Sequence, residues 1–173
     1  MGQALKSFPT VAQRCEGETF LFLLELRATI ARLRESITAG IISELRFKTE
    51  ALSRGYEVFD PVHPASSADC IIWKPGSDPI LVQVKKARRT KAGTWRFAAC
   101  KVRRKKAETV RTYYNHYDFD VFAVHVQDNG QHGFVFIPLQ EIRYRECLTF
   151  RVGTEGRGLN NWEKLEIKQV GDE

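Results

Sequence analysis

The sequence predicts an α/β fold, a sheet with helices packed on it and one further helix at the N-terminus. Three observations carry this reading. Apolar residues recur at helical spacing up to about residue 54, and alternate in short runs after it. Those runs are bounded by Gly, Pro, Asn and Asp clusters, which gives the order α-β-β-β-α-β-β. The chain has 173 residues, 43% apolar and 28% charged, enough for one domain with a real core and too short for two comfortable ones.

From Leu23 the apolar positions run Leu23, Leu26, Ile30, Leu33 and Ile37, an a/d seam of two heptads. The seam either joins subunits or packs on the body. "TAG" at 38–40 is expected to end this helix, which sets residues 1–38 apart as an N-terminal helical extension and 39–173 as the main domain. A second helix is expected over 41–54, with Gly55 placed as its C-cap. The strands follow: "YEVF" (56–59), "CIIW" (70–73), then "ILVQVKK" (80–86) returned as an antiparallel hairpin by the "KPGSDP" turn. "TWRFAA" (94–99) is a further strand. Residues 101–115 are read as a basic helix, followed by strands "FDVFAVHV" (119–126) and "GFVFIP" (133–138). Strands are also expected at 148–152 and 165–170.

Several classes of function are set aside by composition. The longest apolar block, "FLFLLEL" (20–26), is interrupted by Glu25 and is far too short to span a bilayer. No basic-then-apolar leader opens the chain, so a cytoplasmic protein with no membrane partner is expected. The four cysteines are widely spaced singletons, read as reduced and mostly buried thiols. The four histidines have no metal-ligand spacing, and His125, flanked by Val124 and Val126, reads as structural. Neither a G-x-S-x-G elbow nor a P-loop occurs.

Charge is concentrated in one band. Residues 85–111 carry twelve Lys/Arg against Glu108 alone, a net +11, while the rest of the chain is −5. Trp95 and Phe97 lie within the band and Tyr113 and Tyr114 just beyond it, so it belongs to folded structure and points to a polyanion partner. The cations expected to bind nucleic acid are Lys86, Arg88, Arg89 and Lys91 beside the 80–86 strand, and Arg103, Arg104 and Lys106 further along. Ser66 and Ser67, next to Asp69, are candidates to touch a phosphate.

A second set of residues should not be buried without cause. Alternation puts Gln83 and Lys85 on one face of an apolar strand, and desolvating a lysine costs several kcal/mol unless something pairs with it. Asp69 opens the hairpin's other strand, and Glu44 lies one turn into the preceding helix. Two carboxylates, an amide and an ammonium at one point suit a hard cation such as Mg²⁺, with the lysine beside its water. A plain Glu44–Lys85 salt bridge is the alternative without chemistry.

Helix Glu44, strand-opening Asp69 and Gln83-Val84-Lys85 occur in an order that resembles the PD-(D/E)xK nucleases. The chain departs from their familiar form in having Ala68 before Asp69 and Gln83 in the last motif's acidic position. The Gln-x-Lys form is similar to the group I intron-encoded homing endonucleases. "GIISELRFKTEALSRGYEVFDPV", "ILVQVKKA" and "YDFDVFAVHV" leading to "FVFIPLQEI" carry that similarity over roughly residues 40–143. The resemblance implies a restriction-endonuclease-like core, with a central mixed sheet flanked by helices and an extra N-terminal helix. It implies a metal-dependent endonuclease for double-stranded DNA, using Mg²⁺ for which Mn²⁺ can substitute. Asp69, Gln83, the Val84 carbonyl and Glu44 would hold the metal, and Lys85 would assist the attacking water. A site-specific homing enzyme is favoured. The alternatives are a Holliday-junction-resolvase-like, structure-specific nuclease and a non-catalytic DNA-binding module. Cutting both strands with one site per chain implies a homo-oligomer, a dimer or tetramer.

Overall fold

The computed structural model describes residues 11–63, 65–105, 108–115, 117–128, 130–142, 144–154 and 157–166, with the side chains of 11–23, 103–108 and 166 outside that description. In chain order the elements are helix α1 (Val11–Ser53), strands β1 (Glu57–Phe59), β2 (Cys70–Trp73), β3 (Ile80–Lys86), β4 (Arg88–Arg89), β5 (Trp95–Ala98), β6 (Cys100–Lys105), β7 (Glu108–Tyr113), β8 (Val121–Asp128) and β9 (Gln131–Pro138), then a 3₁₀ turn (Leu139–Ile142), β10 (Cys147–Phe150) and helix α2 (Glu163–Glu166). The chain parts into two compact units, Met1–Ala39 and Gly40–Glu173.

In the first unit the described part is helical, and Leu24, Leu26, Ile30, Leu33 and Ile37 are all exposed. The helix does not end at Thr38-Ala39-Gly40 as the sequence predicts, but runs unbroken to Ser53. A single glycine costs only about 1 kcal/mol relative to alanine and keeps its N–H, so it weakens a helix without stopping it. The actual stop is at Gly55, at φ +81°. Gly55 N–H donates to Leu52 O (3.0 Å) and Tyr56 N–H to Ala51 O (3.1 Å), the paired bonds of a Schellman cap.

The second unit is built on a five-stranded sheet ordered β1-β2-β3-β8-β9. All neighbours are antiparallel except β3 and β8, so the central sheet is mixed, as expected. β10-β5-β4 form a three-stranded sheet and β6-β7 a two-stranded ribbon. Alternation along β8 divides its side chains between two cores. Val121 and Ala123 join Phe47, Ala51, Val82, Val84 and Trp162, whereas Phe122, Val124 and Val126 join Phe97, Phe119 and Phe150. Phe47 is fully buried, stacked on Trp162 at 5.5 Å and edge-on to Phe134 at 5.3 Å. Its truncation to alanine is worth roughly 3–5 kcal/mol. His125 is buried and structural, bonded to Ser43 Oγ at 2.8 Å and to His132 at 3.2 Å.

Two expectations from the sequence are overturned. Residues 101–115 are not a helix: β6 and β7 pair antiparallel, Lys101 opposite Thr112 and Arg103 opposite Val110. A helix would stack like charges three and four residues apart, while Val102, Thr109, Val110, Thr112 and Tyr113 favour extended backbone. The expected strand at 165–170 is also not seen at its start, because Glu163–Glu166 is helical; residues 167–170 lie outside the described residues. The segment before it docks on β9. Asn160 Oδ1 accepts the Phe134 N–H (2.7 Å), and Gly133 admits Leu159 so closely that a Cβ would lie 2.6 Å from its Cγ.

Candidate active site

The β2–β3 ladder places the first carboxylate. Cys70 pairs with Val82, and Asp69 N–H continues the ladder to Val82 O at 2.8 Å, which sets Asp69 beside Gln83. The next N–H on that edge, from Val84, has no strand partner left and donates to Asp69 Oδ2 at 2.8 Å. Gln83, only 6% exposed, donates from Nε2 to the same oxygen, and its Nε2 lies 3.4 Å from Val84 O. Asp69 Oδ2 and the Val84 carbonyl thus converge on one point that the Gln83 amide also reaches.

Electrostatics mark the same place. Burial pushes the Asp69 carboxyl above its ordinary pKa, against the Val84 N–H bond and the nearby Lys85 and Lys48. Glu44, half-buried on α1, is also raised, first by burial and then by the Asp69 carboxylate. Burial pulls Lys85 below the usual lysine range despite the opposing pull of Asp69 and Glu44. Among the described residues Lys85 has no hydrogen bond and no ion pair within 4.0 Å, so the plain Glu44–Lys85 salt bridge does not form. Its Nζ sits 5.8 Å from the Tyr114 ring centroid. A half-buried ammonium near two carboxylates whose pKa values are raised, and within ion-pair distance of neither, is costly for stability and suited to chemistry.

One comparison decides the family and a second bears on the fold. The family model for PD-(D/E)XK endonucleases matches residues 36–163. The chain belongs to the PD-(D/E)XK endonuclease family. The structure is similar to that of I-Ssp6803I, a bacterial homing endonuclease, with a TM-score of 0.60 at 21% identity over 73% of this chain and 89% of that one. No curated protein sequence matches the chain.

In a PD-(D/E)XK nuclease the donor set must fit a divalent cation. Among the described residues no three His, Cys, Asp or Glu side chains converge. Here the oxygens are two carboxylates, one amide and one backbone carbonyl, all hard donors. Asp69 Oδ2 and Val84 O both lie within 3.5 Å of Gln83 Nε2, a positively polarised group in their midst. An amide that turns its oxygen inward completes an oxygen-lined site, so the residues present fit such an ion.

The DNA-binding candidates divide. Lys86, Arg88 and Arg89 are exposed and line, with Thr90, Arg96 and Phe97, a cleft of about 500 Å³. Arg89 is partly engaged by Asp128 at 2.6 Å. Lys91 is exposed in the following turn. Ser66 Oγ accepts the Ala68 N–H at 3.2 Å, a local loop contact. Ser67 is held from two sides: its Oγ donates to Asp118 Oδ1 (2.7 Å) and accepts from Lys101 Nζ (2.6 Å). Arg103 and Arg104 lie on β6 with side chains outside the described residues, as does all of Lys106.

Three neighbours of the site escaped the sequence reading. Lys101 joins Ser67 and Asp118 and lies 5.1 Å from the Tyr114 ring centroid, so Tyr114, with Lys85 at 5.8 Å, has two lysines near its ring. Reading residues 101–115 as a helix hid both. Lys48, four residues after Glu44, pairs with Asp60 at 2.5 Å. Helical spacing alone places Lys48 on the Glu44 face.

Proposed function

We propose that this PD-(D/E)XK chain is a Mg²⁺-dependent endonuclease that hydrolyses phosphodiester bonds in double-stranded DNA, with the site-specific role of a homing endonuclease. The observation that supports this most is the convergence of Asp69, Gln83 and the Val84 carbonyl beside a half-buried Lys85 that has no ion-pair partner among the described residues. Asp69, Gln83, Val84 O and Glu44 hold the cation in this reading, and Mn²⁺ can take its place. When bound, it lowers the pKa of a water and offsets charge on the phosphate. Lys85 orients the attacking water and stabilises charge developing on the phosphoryl oxygens, a role open to it because among the described residues no carboxylate lies within ion-pair distance of it. The ladder fixes Asp69, and α1 carries Glu44 to it, so the group is preorganised before DNA arrives. Likeness to I-Ssp6803I supports the homing role.

With DNA as substrate we place the protein in the cytoplasm. We also propose that residues 1–38 act as an oligomerising extension of a nuclease domain over 39–173. The exposed Leu26, Ile30, Leu33 and Ile37 support it, as does the need for a symmetric oligomer to cut both strands.

Incubation of purified protein with plasmid libraries and Mg²⁺, then with EDTA, tests the main reading. Discrete fragments that EDTA abolishes are expected. Cleavage confined to branched DNA would assign a junction resolvase, and a mobility shift without nicking would assign a binding module.

A further inference from the structure

The β6–β7 ribbon takes no part in the chemistry above, yet it is strongly basic. Residues 100–113 contain six Lys/Arg and one acid, Glu108. Among the described residues neither strand pairs with any strand but the other. We infer that this ribbon enters the DNA major groove and reads base edges within about six base pairs of the cut, using the face that carries Val110 and Thr112. The inference rests on the nuclease reading and goes beyond it by naming the element that selects sequence.

Size permits it. The major groove is about 12 Å wide and about 8.5 Å deep and admits a two-stranded ribbon. Paired strands lie about 4.8 Å apart, and six residues extend about 20 Å. At about 3.4 Å per base pair, that length covers about six pairs.

The exposed chemistry favours base contact over mere solvation. Lys and Arg along a ribbon also guard open strand edges against aggregation, and cations alone would serve that purpose. Here Val102, Val110 and Tyr113 are exposed among the charges, with Thr109 and Thr112 beside them. Methyl and hydroxyl groups are what meet thymine methyls and base edges; phosphate neutralisation needs neither.

The base of the ribbon is fixed to the catalytic centre. Lys101 reaches Ser67 and Asp118 in the loops before Asp69 and before β8, and Tyr114, directly after β7, is buried beside Lys85. A ribbon anchored there has a set distance from the scissile phosphate. Register then chooses the face. Thr112 lies opposite Lys101 and Val110 opposite Arg103, so both share the Lys101 side. On the other side Arg111 pairs with Glu146 at 3.5 Å and Tyr113 packs on Tyr144 at 6.3 Å, so contacts with the protein run along β7 on that face. On the Lys101 side the engaged residue among those described is Lys101, at the ribbon's base.

The test is selection of bound duplexes from a randomised pool by the full chain in EDTA, where binding is read without cleavage. The wild type is expected to enrich a defined sequence, and guanine N7 methylation inside it is expected to block binding. Val110→Ser and Thr112→Ala should each lose five-fold or more in preference at particular positions near the cut, with the salt dependence unchanged. Thr109→Ala, on the opposite face, should keep the wild-type profile. All three positions are exposed, and circular dichroism checks that the variants fold. An unchanged profile in both Lys101-side variants, a uniform loss across all sequences, a change in Thr109→Ala alone, or no enrichment by the wild type would overturn the inference. Plasmid cleavage with Mg²⁺ reports independently on the nuclease reading, so failure of one is told from failure of the other.

Discussion

The Val84 N–H donates to Asp69 Oδ2 at 2.8 Å, a bond that makes a carboxylate side chain the last rung of the β2–β3 ladder. Gln83 completes the arrangement by placing an N–H₂ between that oxygen and the Val84 carbonyl. In this state the neutral donor does what a cation would do. An acid at position 83 could not, because burial already raises the cost of ionising Asp69, and the Asp69 carboxylate in turn raises that of Glu44.

Gln83→Glu is therefore expected to lower the melting temperature in EDTA by several degrees, consistent with a loss of about 1–3 kcal/mol at roughly 2–4 °C per kcal/mol. Addition of Mg²⁺ should raise it more in the variant than in the wild type. Scanning calorimetry with and without metal checks this. Equal metal-induced shifts in both proteins would remove position 83 from the cation site.

A second expectation concerns acid stability. His125 is 2% exposed, and burial, with His132 and the cations Arg46 and Lys86 nearby, pushes its pKa down to about 4 from an ordinary 6.5. Between these values the unfolded chain binds the proton and the folded one does not, so stability rises with pH across the window. It is fully present above pH 6.5 and is lost progressively down to about pH 4, by on the order of 3 kcal/mol at 1.36 kcal/mol per pH step. Urea denaturation at pH 4.5 and 7 should show that difference in the wild type. His125→Asn should be less stable at pH 7 and flatter between the two. An equal pH dependence in both would clear His125 of the effect.

The clustering of the candidate site was legible in the sequence because its signal is local. Gln83-x-Lys85 contradicts a buried strand by itself, and the hairpin turn at 74–79 brings Asp69 to it without long-range knowledge. The ribbon was not legible, because a run of Lys and Arg has no hydrophobic period to betray extended backbone, and the β-branched residues that reveal it are clustered in its second half. Gly40 misled for a related reason. Its propensity cost is small against the tertiary packing of Ser43 and Phe47 just beyond it, both essentially fully buried. Trp162 as a core residue had no local pattern to announce it. It is held by distant partners, stacked on Phe47 and bonded to Glu50 at 3.2 Å.

The charge band gives a third expectation. Arg88→Ala with Lys91→Ala should weaken binding to any duplex and flatten the fall of log affinity with log salt by up to about two contacts at −0.9 each. Arg145→Ala with Arg151→Ala, an equal charge change at exposed positions outside the band, should alter both much less. Equal losses in the two double variants, measured by fluorescence anisotropy from 50 to 200 mM salt, would show that the band is not the DNA surface.

Removal of residues 1–38 should lower the mass seen in light scattering if the exposed Leu26, Ile30, Leu33 and Ile37 join subunits. An unchanged mass would place the oligomer contacts elsewhere.

Lys85 bears most directly on whether this fold cuts DNA. It has no ion pair among the described residues, so replacing it with Met removes a costly half-buried charge and leaves the exposed cations to hold the duplex. The measurement is cleavage rate and DNA affinity of Lys85→Met beside the wild type in Mg²⁺. Cleavage should fall by at least a hundred-fold, with affinity within about three-fold of wild type and stability equal or higher. Cleavage that persists in a folded Lys85→Met protein, or is lost only in step with binding or folding, would contradict the account.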